Sequence, residues 1–166
     1  MNPVPLEPIL AGMVADIQAL QLENPLIIGI HTGGAWIARH LHTALGISSS
    51  FGTLDISFYR DDFSRIGMNP QVKPSNLPVS IEDKHIILVD DVLHTGRTIR
   101  AAMNELFDYG RPTSIMLVVL GERSGRELPI QADVVGKHIE LSNNEHVKLT
   151  GPDSLALVVG QAETDS

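Results

Sequence analysis

The chain has no cysteine, so neither a disulfide framework nor a thiol nucleophile contributes to its fold or chemistry. No apolar run is long enough to span a bilayer, and the N-terminus lacks the basic segment followed by an apolar segment that marks a secretion signal. Internal repeats and low-complexity tracts are absent as well. We therefore expect one domain over residues 1–166, located in the cytoplasm and making no contact with membranes.

Positive charge is scarce. The chain has 12 Lys and Arg against 20 Asp and Glu, a formal net charge of −8, and residues 1–38 contain neither Lys nor Arg. This balance favours solubility and opposes nonspecific binding of nucleic acid, although it is compatible with a small basic patch. The seven histidines show no metal-ligand spacing, so the sequence indicates no metal site built from protein ligands alone.

Segments with strand and helix patterns alternate along the chain, which predicts an α/β fold with a mostly parallel sheet covered by helices. Gly46 is a plausible helix stop, since glycine is common directly after a helix. Helices are predicted from Pro8 to Asn24, over 35–45 and over 97–109, and strands at 26–31, 51–60, 85–90, 115–120, 134–135 and 155–159.

Residues 86–98, with the sequence IILVDDVLHTGRT, are the most informative part of the chain. The apolar run 86–89 is typical of a strand buried on both faces, and Asp90 and Asp91 follow it at the edge where open α/β sheets bind ligands. Adjacent carboxylates repel each other and lose hydration there, so they need a reason to be present. Accepting hydrogen bonds from vicinal sugar hydroxyls is such a reason.

The turn after the two carboxylates has the features of an anion site. Residues 93–98 offer backbone N–H groups, two hydroxyls and a helix N-terminus, and Gly96 lets the backbone come close to a ligand. Two carboxylates that can accept hydrogen bonds from a diol, next to a turn that can bind phosphate, predict a ribose 5-phosphate site. The competing interpretation is a core strand followed by a capped helix.

Two further segments carry weaker signals. The turn His31-Thr32-Gly33-Gly34 would let backbone amides approach a second anion, although two glycines before a helix are often only a turn. Arg60, in the segment FYRDD, would bind phosphate or form a surface pair with its acidic neighbours. Residues 61–80 have no periodicity, which is typical of a functional lid or of a plain surface loop.

Together these loops fit a transfer reaction at a sugar carbon that carries pyrophosphate. Such a reaction builds positive charge on the ring, so nearby carboxylates and exclusion of water both help it. Mg²⁺ suits the leaving group because it binds a few oxygens together with the phosphates of a substrate. Asp90 and Asp91 would contact this metal indirectly, through the substrate or through water.

Residues 86–98 resemble the phosphoribosyl pyrophosphate motif of type I phosphoribosyltransferases. The segments 55–62, 110–115, 126–133 and 136–137 resemble, in the same order, the PyrR family of pyrimidine operon regulators that also have uracil phosphoribosyltransferase activity. The resemblance covers roughly residues 26–160. It implies the type I phosphoribosyltransferase fold, with a mostly parallel sheet, flanking helices and a small hood. It also implies that uracil and phosphoribosyl pyrophosphate react to give uridine monophosphate (UMP) and pyrophosphate.

The resemblance implies roles for individual residues around the sugar. Asp90 and Asp91 would hold the ribose hydroxyls and, with Arg60, would form the catalytic set. Thr32 and Gly33 would contact pyrophosphate. The residues of the turn expected to contact the substrate, of which the last four hold the 5-phosphate, are Val92, Leu93, His94, Thr95, Gly96, Arg97 and Thr98.

Two positions are implied near the base. Arg123 is one, and Val147, which would act through its backbone, is the other. The resemblance further implies a homodimer or a larger homo-oligomer.

The chain departs from the family pattern in two places. Gram-positive members carry Lys-Thr-Arg-Gly where this chain has residues 31–34, so two basic side chains are missing and backbone amides would replace them. Members that bind a messenger RNA hairpin use a basic concave dimer face, and RNA affinity depends heavily on Lys and Arg. Here Gln131 stands where arginine is common, whereas Arg126 and Lys137 are kept.

Three functions stay open on the sequence alone. The first is a uracil phosphoribosyltransferase that needs Mg²⁺, with a second role in regulating pyrimidine biosynthesis genes. The second is an RNA-binding regulator that senses uridine nucleotides and catalyses weakly. The third is a phosphoribosyltransferase for another base, such as hypoxanthine or orotate.

Overall fold

A five-stranded parallel sheet with the strand order β2-β1-β3-β4-β5 forms the centre of the protein. The structure is a computed structural model that describes residues 3–56 and 75–161. A second sheet has two antiparallel strands, β6 and β7. The elements are α1 Glu7–Ala19, β1 Leu26–Ile30, α2 Gly33–Leu45, β2 Gly52–Leu54, β3 His85–Leu93, α3 Arg97–Tyr109, β4 Ser114–Arg123, β5 Val134–Ile139, β6 Glu145–Thr150 and β7 Ala156–Gln161.

Both faces of the large sheet are covered, which explains the continuous apolar runs 86–89 in β3 and 115–120 in β4. On one face Ile27 and Ile87 belong to a core cluster that includes residues of α1 and α2. On the other face Ile28 and Leu88 pack with residues of α3. All five residues of β1 are buried. The predicted α/β architecture is confirmed.

The predicted helix boundaries are partly confirmed. Helix α3 spans 97–109 as predicted, and Gly46 ends α2 in the left-handed conformation with φ 64°. Helix α1 was predicted to reach Asn24 but ends at Ala19, and this prediction is wrong because Gln21 adopts a left-handed φ of 51° that a helix cannot continue through. Within the described ranges, no helix is both long and apolar enough to cross a membrane.

Two predictions at the sheet edge need correction. Strand β3 does not stop at residue 90 but continues to Leu93, because β4 runs beside it and pairs with Val92 and Leu93. Residues 32–34 were predicted as a turn, whereas Gly33 is already the first residue of α2. The two carboxylates therefore lie within a strand, next to the beginning of a helix.

The small sheet contains the strand that sequence patterns missed. Strand β6 alternates between exposed and less exposed positions and has a single buried residue, Leu149, so its apolar signal is weak. It pairs with β7, and the backbone N–H of Val4 adds a third partner by donating to Leu157 O at 2.9 Å. This sheet is the small hood of the predicted architecture.

The strand predicted at 51–60 is shorter in the structure, where β2 covers Gly52–Leu54. Residues 57–60 of that prediction, including Arg60, and residues 61–74 of the predicted lid lie outside the described residues. The chain before and after this gap is paired, since Thr53 and Asn76 exchange two backbone hydrogen bonds of 2.8 Å. Residues 75–80, the described part of the predicted loop, therefore lie beside β2 where Asn76 pairs with Thr53.

Candidate active site

Three loops meet at the carboxyl edge of the large sheet because they follow neighbouring parallel strands. Strand β1 lies beside β3, with Gly29 opposite Val89, and β3 lies beside β4, with Leu93 opposite Glu122. The loop 31–34 follows β1, the turn 94–96 follows β3 and the segment 124–128 follows β4. This is the edge where open α/β sheets bind ligands.

Asp91 packs directly against the first turn of α2. A Cβ added to Gly33 would lie 2.5 Å from Asp91 Oδ2 and 3.0 Å from both Cβ and Cγ of Asp91. These distances are shorter than van der Waals contact, so only glycine leaves room for the carboxylate here. The structure thus brings together two of the loops that the sequence singled out, although they are far apart along the chain.

The two adjacent carboxylates differ in exposure and in their partners. Asp90 is 6% exposed, and its Oδ1 accepts a hydrogen bond of 2.9 Å from the backbone N–H of Asp91. Asp91 is partly exposed, and its Oδ1 accepts a hydrogen bond of 2.7 Å from the backbone N–H of Val92. Because each carboxylate is held by the backbone next to it, both side chains have fixed orientations. Asp91 is the more accessible acceptor for a ligand hydroxyl.

The turn before α3 has the geometry of an anion site. Gly96 has φ 96°, which favours glycine, and its carbonyl accepts the backbone N–H of Arg100 at 3.0 Å. The hydroxyl of Thr95 accepts a 3.2 Å hydrogen bond from the backbone N–H of Arg97. The first backbone N–H groups of α3 and the positive end of its dipole therefore face this turn.

A cleft of about 630 Å³ lies at the ends of β4 and β5. Arg123 and Arg126 line it together with Glu122 and residues 138–141. In the described part of the chain, the buried Nε of Arg123 has no hydrogen-bond partner. A buried donor without a partner is unusual in a folded protein, and an acceptor on a ligand would satisfy it.

His94 lies above Gly125, where a Cβ would approach its Nε2 to 2.8 Å. Burial, and then the positive charge of Arg123, lowers the pKa of His94 below the ordinary value of 6.5. Arg126 acts in the same direction, whereas Glu127 opposes the shift. The imidazole of His94 is therefore more readily neutral than that of a free histidine.

The other predicted site residues are placed as follows. Arg97 is exposed and pairs with Glu127 at 3.0 Å. Thr98 lies in the first turn of α3. Thr32 is exposed and directly precedes α2. Leu93 is 1% exposed and its side chain belongs to the core, so it would contact a ligand only through its backbone. Val147 lies in β6 and packs against the core, and its contact with a base stays a prediction.

Sequence reasoning missed the segment 126–128 as part of this edge. Arg126 donates from Nη1 to the carbonyl oxygen of His94 and from Nη2 to Glu122. The backbone N–H groups of Glu127 and Leu128 donate to the carbonyl oxygen of Thr95 at 3.0 and 3.1 Å. The contacts with His94 and Thr95 join residues about thirty positions apart, and no local spacing in the sequence reveals such a pairing.

The described residues include no group of three or more His, Asp or Glu side chains that could hold a metal. Asp90 and Asp91 precede the anion turn along the chain, and both already accept backbone N–H groups. This arrangement fits a Mg²⁺ ion that is bound mainly by substrate oxygens and water and that contacts the protein indirectly.

Comparison with known proteins agrees with this geometry. A family model described as a phosphoribosyl transferase domain matches residues 6–155. The chain is similar to the bifunctional protein PyrR of Nitrosococcus oceani, with 65% identity over 146 residues that cover 87% of this chain and 82% of the relative. It is also similar to the bifunctional protein PyrR of Pseudomonas paraeruginosa, with 55% identity over 94% of this chain and 92% of the relative.

A solved structure supports the same fold. The chain superposes on a hypoxanthine-guanine-xanthine phosphoribosyltransferase with a TM-score of 0.67 and 17% identity, covering 95% of this chain and 89% of that one. At this identity the likeness concerns the fold alone. The extensive matches to bifunctional proteins, together with the family model, show that the chain belongs to the PyrR family of type I phosphoribosyltransferases.

Proposed function

We propose that the protein transfers ribose 5-phosphate from phosphoribosyl pyrophosphate to uracil at the edge formed by β1, β3 and β4. The bond between the sugar C1 and a pyrophosphate oxygen breaks, a bond from C1 to uracil N1 forms, and uracil loses its N1 proton. One observation supports the proposal most: Asp91 packs against Gly33, so the proposed diol acceptor lies beside the proposed pyrophosphate loop.

Asp90 and Asp91 would accept hydrogen bonds from the ribose hydroxyls. Their negative charge would also stabilise the positive charge that develops on the ring when the pyrophosphate leaves, and preorganised charges of this kind often contribute more to catalysis than any other effect. Their backbone hydrogen bonds of 2.9 and 2.7 Å fix both carboxylates before the substrate binds. Arg60, from outside the described residues, would complete the catalytic set.

Two helix N-termini would bind the two anions. Residues 95–98 at the start of α3 would hold the 5-phosphate, and Thr32 and Gly33 at the start of α2 would hold the pyrophosphate. Backbone N–H groups and the positive end of a helix dipole attract phosphate without any basic side chain. The loop 31–34, which has no Lys or Arg, would therefore bind pyrophosphate through its backbone.

Mg²⁺ would neutralise charge on the leaving pyrophosphate when it is bound. Asp90 and Asp91 would position it through water or through the ribose oxygens. For the base, Arg123 is the proposed partner, since its buried Nε needs an acceptor and a uracil carbonyl is one. Val147 would contribute a backbone group from the small sheet.

Product formation from labelled base, phosphoribosyl pyrophosphate and Mg²⁺ tests the proposal, with uracil, hypoxanthine and orotate in parallel reactions. We expect UMP from uracil and no nucleotide from the other two bases. Turnover with hypoxanthine or orotate but not uracil would contradict the assignment of the base. Absence of any turnover, together with measurable binding of UMP, would contradict catalysis and favour a sensor.

A role in regulating pyrimidine genes is the second proposed function, and the bifunctional relatives favour it. In this role the same pocket would sense a uridine nucleotide while another surface of the protein, as a dimer or larger oligomer, holds an RNA hairpin. Binding to phosphates becomes weaker as salt increases, so a steep salt dependence of hairpin binding is expected. Absence of hairpin binding at low salt, with UMP present, would contradict this role.

A further inference from the structure

The backbone carbonyls of His94 and Thr95 are both bound by the segment 126–128. Arg126 Nη1 donates to His94 O, and the N–H groups of Glu127 and Leu128 donate to Thr95 O at 3.0 and 3.1 Å. The two carbonyls that begin the anion turn are therefore fixed on the side that faces the segment 126–128.

Fixing these carbonyls also fixes the N–H groups of the turn. In a planar trans peptide the carbonyl and the following N–H point in opposite directions. When His94 O faces Arg126, the N–H of Thr95 faces away from it, and the same holds for Thr95 O and the N–H of Gly96. A phosphate bound at the start of α3 would then meet these two N–H donors instead of the carbonyls of His94 and Thr95.

Arg126 is held firmly enough to act in this way. Its Nη2 pairs with Oε1 of Glu122 on β4, and Oε2 of Glu122 lies 3.3 Å from Nδ1 of His138 on β5. The side chains of Arg126 and Glu122 are only 27% and 19% exposed. Charge-assisted hydrogen bonds in such a partly buried place are stronger and less screened than surface pairs. The pair between Arg97 and Glu127, in contrast, is 61% and 52% exposed.

We propose that Arg126 is a positioning residue of the phosphoribosyl site. It holds the peptide between His94 and Thr95 so that its N–H faces the 5-phosphate, and Glu122 holds Arg126 in place. The inference rests on the proposed function, because it assigns the 5-phosphate to the start of α3. Arg126 would therefore orient the phosphate-binding turn whether or not it also contacts RNA.

The test compares Arg126→Ala, Arg126→Lys and Glu122→Gln with the control Arg39→Ala, which removes an exposed arginine on α2. We expect KM for phosphoribosyl pyrophosphate to rise about tenfold in Arg126→Ala, as for loss of a charge-assisted hydrogen bond. KM for uracil should change less, and Arg126→Lys should recover part of the loss. Adding Glu122→Gln to Arg126→Ala should raise this KM little further, because Glu122 acts only by holding Arg126 against the carbonyl of His94. Arg39→Ala should match the wild type.

Backbone amide NMR separates this inference from the proposed function. UMP or ribose 5-phosphate added to the wild type should shift the amide protons of Thr95 and Gly96, and Arg126→Lys should weaken those shifts while the other amides stay in place. If UMP binds but no turnover occurs, the proposed catalytic function is contradicted, while the amide shifts still test the role of Arg126. A KM for phosphoribosyl pyrophosphate within twofold of wild type in folded Arg126→Ala, or unchanged amide shifts in Arg126→Lys, would overturn the inference.

Discussion

Gly33, the first residue of α2, is in contact with Asp91 near the end of β3, and the space between them is too small for a methyl group. The contact connects the end of one central strand to the helix that follows its neighbour. It determines how far the carboxylate lies from the backbone N–H groups of α2. A single glycine therefore sets the distance between the proposed diol acceptor and the proposed pyrophosphate site.

Replacing Gly33 by alanine should move Asp91, because an added Cβ would lie 2.5–3.0 Å from three atoms of its side chain. We expect KM for phosphoribosyl pyrophosphate to rise at least tenfold and stability to fall by about 1–3 kcal/mol, the usual cost of overpacking. Steady-state kinetics and urea unfolding measure the two effects. The matched control is Gly12→Ala in α1, where an added Cβ would meet no atom within 4 Å. This substitution should stabilise the helix by about 0.5–1 kcal/mol. Wild-type kinetics in Gly33→Ala would show that the contact has no functional role.

Asp91→Asn should lower kcat/KM by roughly 10- to 100-fold, corresponding to about 1.5–3 kcal/mol for a lost hydrogen bond to a charged group. The amide oxygen can still accept the N–H of Val92, so the local fold should persist. Kinetics and circular dichroism on the same sample check both points. Asp108→Asn, an exposed residue of α3, serves as the control. A folded Asp91→Asn with unchanged kinetics would remove Asp91 from the site.

Gly96→Ala should destabilise the protein by about 1–2 kcal/mol, the cost of a left-handed conformation for a residue with a Cβ. The φ of 96° is the cause, and a Cβ would also lie 3.3 Å from Ile130. Since the turn must relax to accept the methyl group, affinity for UMP should fall as well. Calorimetric titration and thermal unfolding measure these effects. An unchanged melting temperature would mean that the turn tolerates alanine without strain.

The imidazole of His94 should titrate below its ordinary pKa of 6.5, because burial and Arg123 disfavour its charged form. With a lowered pKa in the folded protein, its contribution to stability is present above about pH 6.5 and declines as pH falls toward the folded pKa. Arg123→Ala should raise the pKa of His94, and a bound phosphate should raise it too. Histidine NMR titration follows the change directly. A pKa at or above 6.5 in the ligand-free protein would contradict the structure here.

Ser75→Ala should loosen the end of β2. The hydroxyl of Ser75 donates to Glu105 Oε1 at 2.7 Å and accepts the backbone N–H of Asp55 at 3.2 Å. Losing these contacts should cost about 1 kcal/mol and speed hydrogen exchange at the Asp55 amide. Ser75→Thr keeps the hydroxyl and should behave like the wild type. Equal exchange rates in the alanine and threonine variants would show that the contact is weak.

Local patterns were sufficient to predict most of the elements. The apolar run 86–89 and the helical spacing of 97–109 indicated a strand and a helix because both elements bury side chains against the same core. The Asp-Asp pair and the turn after it could also be placed at a sheet edge, since the carboxyl end of a parallel strand is where loops carry function. Strand β6 was missed because only two of its residues, Val147 and Leu149, are apolar, which is too few to establish an alternating pattern.

Contacts between distant segments could not be predicted in the same way. The packing of Gly33 against Asp91 and the hydrogen bonds from 126–128 to the anion turn depend on the order of strands in the sheet, which no single segment encodes. Arg126 drew attention as part of the family segment 126–133 and as a basic residue for RNA, whereas its contacts with His94 and Glu122 could not be read from the sequence.

The hydrogen bond from Val4 to Leu157 gives Val4 a structural role in the small sheet. Two strands alone are marginally stable in water, and Val4 supplies a backbone partner on the side of β7 that β6 does not reach. Strand β6, which pairs Val147 with Val159, is the next strand in that sheet. Proteolytic trimming near residue 4, or an affinity tag fused close to it, would therefore disturb the small sheet and with it the strand that carries the proposed base contact. Binding of the base measured on a sample trimmed in this way would differ from that of the intact chain.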